Sequence, residues 1–102
     1  MTASAITAAP CAVRITLYVA GDGPNSVAAR THLQAALTDF PGHAVEVEIV
    51  DVIEEPHRGL RDGVLATPML IRRAPPPERR ILGNLRDRDM LLALLGLVAS
   101  QR

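Results

Sequence analysis

The chain has no lysine and no tryptophan, and only one cysteine, one tyrosine and one phenylalanine among its 102 residues. Without lysine, no substrate can be held as a Schiff base on a side-chain amine. The single cysteine, Cys11, excludes an intrachain disulfide and the dithiol chemistry of disulfide oxidoreductases. The scarcity of aromatic side chains disfavours binding of single-stranded nucleic acid through stacked bases. The core must therefore be built from aliphatic residues.

No excess of charge of either sign is present, since eleven arginines balance eleven acidic residues. A net charge of zero disfavours electrostatic binding to nucleic acid or anionic lipid. No apolar run reaches the roughly 18 residues that would span a membrane. Residues 1–12 lack the basic start and apolar block of a secretory signal, and we interpret them as a flexible lead before one domain over residues 13–102. These features predict a cytoplasmic protein that binds neither nucleic acid nor a membrane.

No set of side chains forms a catalytic or metal-binding pattern. The three histidines have no ligand spacing and no accompanying cysteine, so we predict no metal site. Acid–base chemistry by Glu54, Glu55 and His57 is possible, but a polar loop at the start of a short helix explains these residues more simply. A phosphate at the turn over residues 21–23 would be repelled by Asp22. We therefore predict a protein that is not an enzyme and needs no cofactor.

The first half of the chain predicts a βαβ unit. Residues 13–20 form an apolar, β-branched run that is typical of a buried strand. Residues 25–40 predict a helix, with Asn25 as its N-cap. Residues 44–50 alternate between apolar and acidic residues, as in a half-exposed strand. The predicted buried face of the helix consists of Val27, Leu33, Leu37 and Phe40.

The second half is less determined by local pattern. Residues 54–63 are polar and could hold one or two helical turns, and residues 64–70 and 79–82 predict two antiparallel strands. A helix after Asn84, with Asn84 as N-cap and Asp87 in the first turn, has an apolar stripe that includes Leu91, Leu94, Leu95 and Val98. Residues 91–98 could equally form a buried strand, because periodicity does not distinguish the two in short apolar runs.

One arrangement accommodates both halves. The order βαβαββα is that of thioredoxin-like proteins, and it places Thr67 and Pro68 at the start of the third strand, where such folds have a cis-proline. The turn after the first strand reads Asp22, Gly23, Pro24, Asn25, at the place where thioredoxin-like proteins carry Cys-Gly-Pro-Cys. The sequence therefore favours this scaffold without its redox chemistry.

Four blocks of sequence resemble the KaiB family of circadian clock proteins, in the family order from about residue 15 to residue 95. The first is Leu17-Tyr18-Val19-Ala20-Gly21, followed by Pro24-Asn25-Ser26. The second is Val50-Asp51-Val52-Ile53 with Pro56, and the third is Leu65-Ala66-Thr67-Pro68 with Leu70. The fourth begins with Pro75-Pro76-Pro77 and continues through Arg79, Arg80, Ile81 and Gly83 to Leu85. The arginine-only basic set suggests a GC-rich genome and a member from outside the cyanobacteria.

The resemblance implies a non-enzymatic module that binds the ATPase ring of KaiC, a hexameric clock kinase. It also implies two folds: a thioredoxin-like state that binds KaiC, and a ground state of order βαββααβ that forms a dimer or tetramer and shares the N-terminal βαβ half. The leucine-rich last segment favours the thioredoxin-like state. A sensor module acting on a histidine kinase or stress-response regulator is the alternative function.

The resemblance also indicates which residues carry the site. We expect contact with the partner from Tyr18, Asn25, Arg79 and Arg80, although Tyr18 could instead pack in the core and Asn25 could only cap the helix. Structural roles are expected for Gly21, Pro24, Pro68, Pro75, Pro76, Pro77 and Gly83.

Overall fold

The computed structural model describes residues 13–39 and 45–96, which form four strands and three helices. The elements are β1 (Val13–Val19), α1 (Pro24–Thr38), β2 (Val45–Asp51), α2 (Pro56–Arg61), β3 (Met69–Ala74), β4 (Arg79–Leu82) and α3 (Arg88–Leu95). The strands form one sheet in the order β2-β1-β3-β4. This is the thioredoxin-like order βαβαββα, which confirms the favoured fold.

Strand β1 lies in the interior of the sheet. It pairs in parallel with β2 and antiparallel with β3, and β3 pairs antiparallel with β4. Because side chains alternate across a strand, Ile15, Leu17 and Val19 face one side and Thr16 and Tyr18 the other. The predicted parallel βαβ unit is confirmed, with α1 as its crossover.

Helices α1 and α3 cover the first face of the sheet and build the main core. The buried core residues include Leu17, Val19, Leu33, Leu70, Leu91 and Leu95. Each fully buried aliphatic side chain of this kind contributes roughly 1.5–3 kcal/mol to folding. A smaller cluster of Tyr18, Val50 and Ile71 lies on the opposite face.

Two details of α1 differ from the prediction. Gly23 is the N-cap and Pro24 the first residue of the helix, so Asn25 lies within the helix and does not cap it. Proline suits this position because its missing N–H would have no partner there. Val27 is 47% exposed and lies off the buried face. At 3.6 residues per turn it is about 120° from Leu33 around the helix axis.

Small residues allow α1 to approach the sheet closely. Its buried side chains are Ser26, Ala29, Leu33 and Ala36. Leu37 is half-buried against this cluster, and Phe40 lies outside the described residues.

Strand β3 begins later than predicted. Residues 64–68 form a loop, and the strand runs from Met69 through Arg73 to Ala74. Pro68 has no N–H for a ladder bond, and the Thr67–Pro68 peptide bond before the strand is cis. The predicted strand ended at residue 70, whereas the observed strand continues through Arg72 and Arg73, whose aliphatic stems pack well on a sheet.

The last segment is a helix and not a strand. It begins at Arg88, with Asp87 as N-cap: the Asp87 carboxylate accepts a hydrogen bond from the Met90 amide at 3.1 Å. The expected cap Asn84 instead accepts from the Arg86 amide at 3.1 Å in the preceding turn. That turn contains Leu85 at φ 63. Val98 lies outside the described residues.

Candidate partner-binding surface

The loop after β1 is held by side chains from two other positions. The Ala20 amide donates to the Ser26 hydroxyl at 3.1 Å, and the Gly21 amide donates to the Asp51 carboxylate at 3.2 Å. Gly21 has φ 61, a conformation that favours glycine. Ile53 lies directly beside it, since a Cβ on Gly21 would be 3.4 Å from the Ile53 Cδ1. The loop is therefore a fixed turn that continues into α1.

This loop carries no group for redox chemistry. Asp22 and Asn25 occupy the two positions where thioredoxin-like proteins have sulfur, and Cys11 lies outside the described residues. Within residues 13–39 and 45–96, no group of three or more histidine, cysteine, aspartate or glutamate side chains could hold a metal ion. This end of the sheet therefore provides an exposed surface for contact with other molecules.

Asn25 lies exposed at this end of the sheet. The Asn84 side-chain amide donates to the Asn25 side-chain oxygen at 3.5 Å, across 59 positions of sequence. Next to Asn84, the amide of Gly83 donates to the carbonyl of Pro68 at 2.9 Å. Gly83 has φ 119. The structure thus brings together predicted residues from three separate blocks of the sequence.

Arg79 and Arg80 lie on opposite faces of the sheet. Arg79 pairs with Arg72 across β3 and β4, on the face covered by α3. The Arg80 guanidinium lies on the other face, where it donates to the backbone carbonyl of Asp62 at 2.7 Å. One partner surface on one face of the sheet can therefore use only one of these two arginines.

Pro75, Pro76 and Pro77 lie in the turn between β3 and β4, which ends before Arg79 and Arg80. The Ala74–Pro75 and Pro76–Pro77 peptide bonds are cis, and residues 75–77 are exposed. The Pro77 carbonyl accepts a hydrogen bond from Arg72 at 3.0 Å.

Tyr18 is fully buried, so its side chain offers no surface for direct contact in this structure. Its hydroxyl donates to the Asp62 carboxylate, which also accepts from the Arg73 guanidinium at 2.6 Å. Burial and the adjacent Asp62 carboxylate raise the pKa of Tyr18. The Tyr18 hydroxyl and the Arg73 guanidinium, in turn, lower the pKa of Asp62.

This cluster belongs to a larger set of polar contacts that the sequence analysis missed. One side chain from each strand makes a polar contact with α2 or with Asp62, the residue that follows α2. The four pairs are Glu48 with Arg58, Tyr18 with Asp62, Arg73 with Asp62, and Arg80 with the Asp62 carbonyl. The only signal for these contacts in the sequence was the presence of polar residues within β2 and β3. A charged side chain in a strand needs either solvent or a polar partner.

Three large apolar side chains are exposed around the loops at the carboxyl ends of β1 and β2. Ile53 is 68% exposed, Leu60 is 75% exposed and Leu65 is 92% exposed. Leu60 and Leu65 line one shallow hollow of about 310 Å³. Clustered exposed apolar residues mark surfaces that contact other molecules.

The KaiB domain matches residues 16–97, a range that begins within β1 and includes all the later strands and helices. The chain belongs to the KaiB family. The circadian clock oscillator protein KaiB of Prochlorococcus marinus is 45% identical over 85 residues, covering 82% of this chain and 72% of that protein. The KaiB of Picosynechococcus is 44% identical over 85 residues, covering 82% of this chain and 81% of that protein. The resemblance in the four sequence blocks is thus confirmed.

Solved structures show the same fold at low sequence identity. The N-terminal domain of Synechococcus elongatus SasA superposes with a TM-score of 0.71, at 16% identity and over 100% of both chains. Mitochondrial thioredoxin 3 from Saccharomyces cerevisiae superposes with a TM-score of 0.69, at 17% identity, over 84% of this chain and 78% of its own. This KaiB-family chain therefore has a thioredoxin-like fold. None of the helices in its described residues is long and apolar enough to cross a membrane.

Proposed function

We propose that this KaiB-family chain is a clock or timing protein that binds a KaiC-type ATPase and modulates its phosphorylation or ATPase cycle. Support for the clock role comes from the relatives named as circadian clock oscillator proteins, which align with 82% of the chain. The chain acts by binding and not by catalysis, in keeping with a thioredoxin-like loop that has lost both sulfurs. An insulin-reduction assay tests this: the rate should equal the background and be unchanged in Cys11→Ser.

The main support for the proposed docking surface is Leu65, which is 92% exposed. Leu65 lies in the loop before β3, Ile53 in the turn after β2 and Asn25 in the first turn of α1, all at the same end of the sheet. Covering an exposed leucine removes it from water, which favours association by roughly 25 cal/mol for each Å² of apolar area. We propose that Leu65 and Ile53 are the apolar centre of the contact, with Asn25 and Arg80 at its rim. Arg79, on the other face, would then contact only a partner that extends around β4.

Co-elution of the purified chain with its cognate KaiC-type ATPase tests the proposal. We expect a complex on size exclusion at micromolar concentrations whose amount depends on whether ATP or ADP is present. Leu65→Glu should abolish it, and Arg80→Glu should weaken it. The matched control is Met90→Glu on α3, where the native side chain is 51% exposed, and it should leave the complex intact.

Absence of a complex with either nucleotide would contradict the proposed partner. Equal loss of binding in the Leu65 and Met90 variants would contradict the proposed surface while leaving the partner in place. Capture of a histidine kinase in place of the ATPase would favour the sensor alternative. The expected dimer or tetramer in a second fold stays a prediction, which sedimentation of the free chain can test.

A further inference from the structure

Helix α2 has little apolar anchorage to the sheet. Only Gly59 among its six residues is buried, whereas Leu60 is 75% exposed. Gly59 lies close to Val52, since a Cβ built on it would be 3.1 Å from the Val52 Cγ1. A glycine buries almost no apolar side-chain area, so the hydrophobic effect contributes little to holding this helix in place.

Polar contacts converge on Asp62, directly after α2. Its carboxylate accepts from the Tyr18 hydroxyl of β1 and from the Arg73 guanidinium of β3. Its backbone carbonyl accepts from Arg80 of β4. Arg73 also donates to the Thr16 hydroxyl at 3.2 Å, which fixes the guanidinium above the sheet. Asp62 is thus joined to three of the four strands.

We propose that Tyr18, Asp62 and Arg73 form a latch that holds residues 56–67 on the sheet, and that breaking the latch opens this segment while the core between the sheet and helices α1 and α3 stays folded. The Asp62 and Arg73 side chains are only 18% and 24% exposed. Removing one partner of such a pair leaves the other partly buried without its counter-charge, which destabilises the closed arrangement.

The opening is local because the latch and the main core share no side chain. The core cluster is built from β1, α1, β3 and α3 residues on the face opposite Asp62. Regions with few buried apolar contacts open at lower free energy than the core, as separate units. The latch concerns the chain alone, and it goes beyond the proposed function because its test needs no partner.

Amide hydrogen exchange measures the opening directly. The amides of Asp62, Gly63 and Val64 donate to carbonyls within the segment, at 3.2, 3.1 and 2.8 Å, and should be protected when the latch is closed. In Arg73→Met we expect exchange at these amides to be at least tenfold faster than in the wild type. Exchange in α1 should be unchanged. The control Arg30→Met, at an exposed position of α1, should change neither.

Titration of Tyr18 gives a second reading of the same event. It is the only tyrosine and the chain has no tryptophan, so phenolate absorbance reports this residue alone. If the latch opens in Arg73→Met, Tyr18 becomes solvated and its pKa falls towards the ordinary value of about 10. If the segment stays closed, loss of the Arg73 charge raises the pKa further, because that charge favours the phenolate.

Faster exchange at residues 62–64 together with a lower Tyr18 pKa supports the latch. Equal acceleration in α1, no acceleration at residues 62–64, or a higher Tyr18 pKa overturns it. If Arg73→Met fails to fold, Tyr18→Phe provides the milder test, since it keeps the ring and removes only the hydroxyl. At least threefold faster exchange at residues 62–64, with α1 unchanged, is then expected, and no such difference overturns the proposal.

Discussion

The Arg72 guanidinium fastens the end of α3 to the sheet by donating to the carbonyl of Leu94 at 2.9 Å. Its second terminal nitrogen donates to the Pro77 carbonyl at 3.0 Å. The next residue, Arg73, leaves β3 on the opposite face and donates to Asp62 at 2.6 Å. Two successive arginines of one strand therefore attach two different helical segments to the two faces of the sheet.

Replacing Arg72 should weaken the docking of α3. Arg72→Met keeps the aliphatic stem and removes the donors to Leu94 and Pro77, and hydrogen bonds from a charged group contribute about 2 kcal/mol. We expect the free energy of unfolding to fall by roughly that amount in urea titrations followed by circular dichroism. Arg30→Met on the exposed side of α1 is the control and should change it by less than about 0.5 kcal/mol. Equal stability of both variants would contradict this role of Arg72.

Leu85 combines a buried side chain, 4% exposed, with a left-handed backbone. Truncation to alanine should lower the free energy of unfolding by about 3 kcal/mol, since it removes a buried side chain. Leu85→Gly removes one carbon more than Leu85→Ala but relieves the strain at φ 63, which costs a non-glycine residue about 1 kcal/mol. We therefore expect Leu85→Gly to be more stable than Leu85→Ala in thermal unfolding. The reverse order would show that the left-handed conformation is absent in solution.

The cap of α3 is Asp87, and its loss should be measurable. Asp87→Ala removes the acceptor for the Met90 amide and should lower the free energy of unfolding by about 1 kcal/mol. Asp87→Ser keeps an acceptor at that position and should retain most of the stability. If the serine variant loses as much as the alanine variant, capping is not the contribution that Asp87 makes.

Acid should destabilise the folded chain through Asp62 and Glu48. The Tyr18 hydroxyl and the Arg73 guanidinium lower the pKa of Asp62, and the hydrogen-bonded Arg58 lowers that of Glu48. Because each folded pKa lies below the unfolded one, the contribution to stability is present above about pH 4 and is lost as pH falls through the folded pKa. The urea midpoint should therefore decline below about pH 4.

Asp62→Asn tests the assignment of this decline. It removes one of the two carboxylates whose pKa is lowered in the folded chain, so the midpoint should fall less steeply between neutral and acid pH than in the wild type. Asp22→Asn, at an exposed position of the loop after β1, is the control and should leave the steepness unchanged. A slope that is the same in all three proteins would mean that Asp62 does not carry the acid sensitivity.

The elements with strong local patterns could be predicted from the sequence. Strand β1 was recognisable because it is apolar and β-branched on both faces, and β2 because its glutamates alternate with aliphatic residues. The start of β3 was misplaced because the apolar run begins at residue 64, whereas the strand begins only after Pro68, which has no N–H for a ladder bond. The N-caps of α1 and α3 were misassigned because several polar residues stand near each helix start, and local sequence does not show which one has the required backbone conformation.

Sequence by itself determined the family, the loss of the redox thiols and the N-terminal βαβ order, because these depend on residue identity and spacing along the chain. Only the tertiary structure decided that Tyr18 is an internal hydrogen-bond donor, that the last segment is a helix, and that the Asp62 carboxylate accepts a hydrogen bond from Arg73. The physical reason is distance along the chain. Asp62 lies 44 positions from Tyr18, and only the folded chain brings the two side chains within hydrogen-bonding distance.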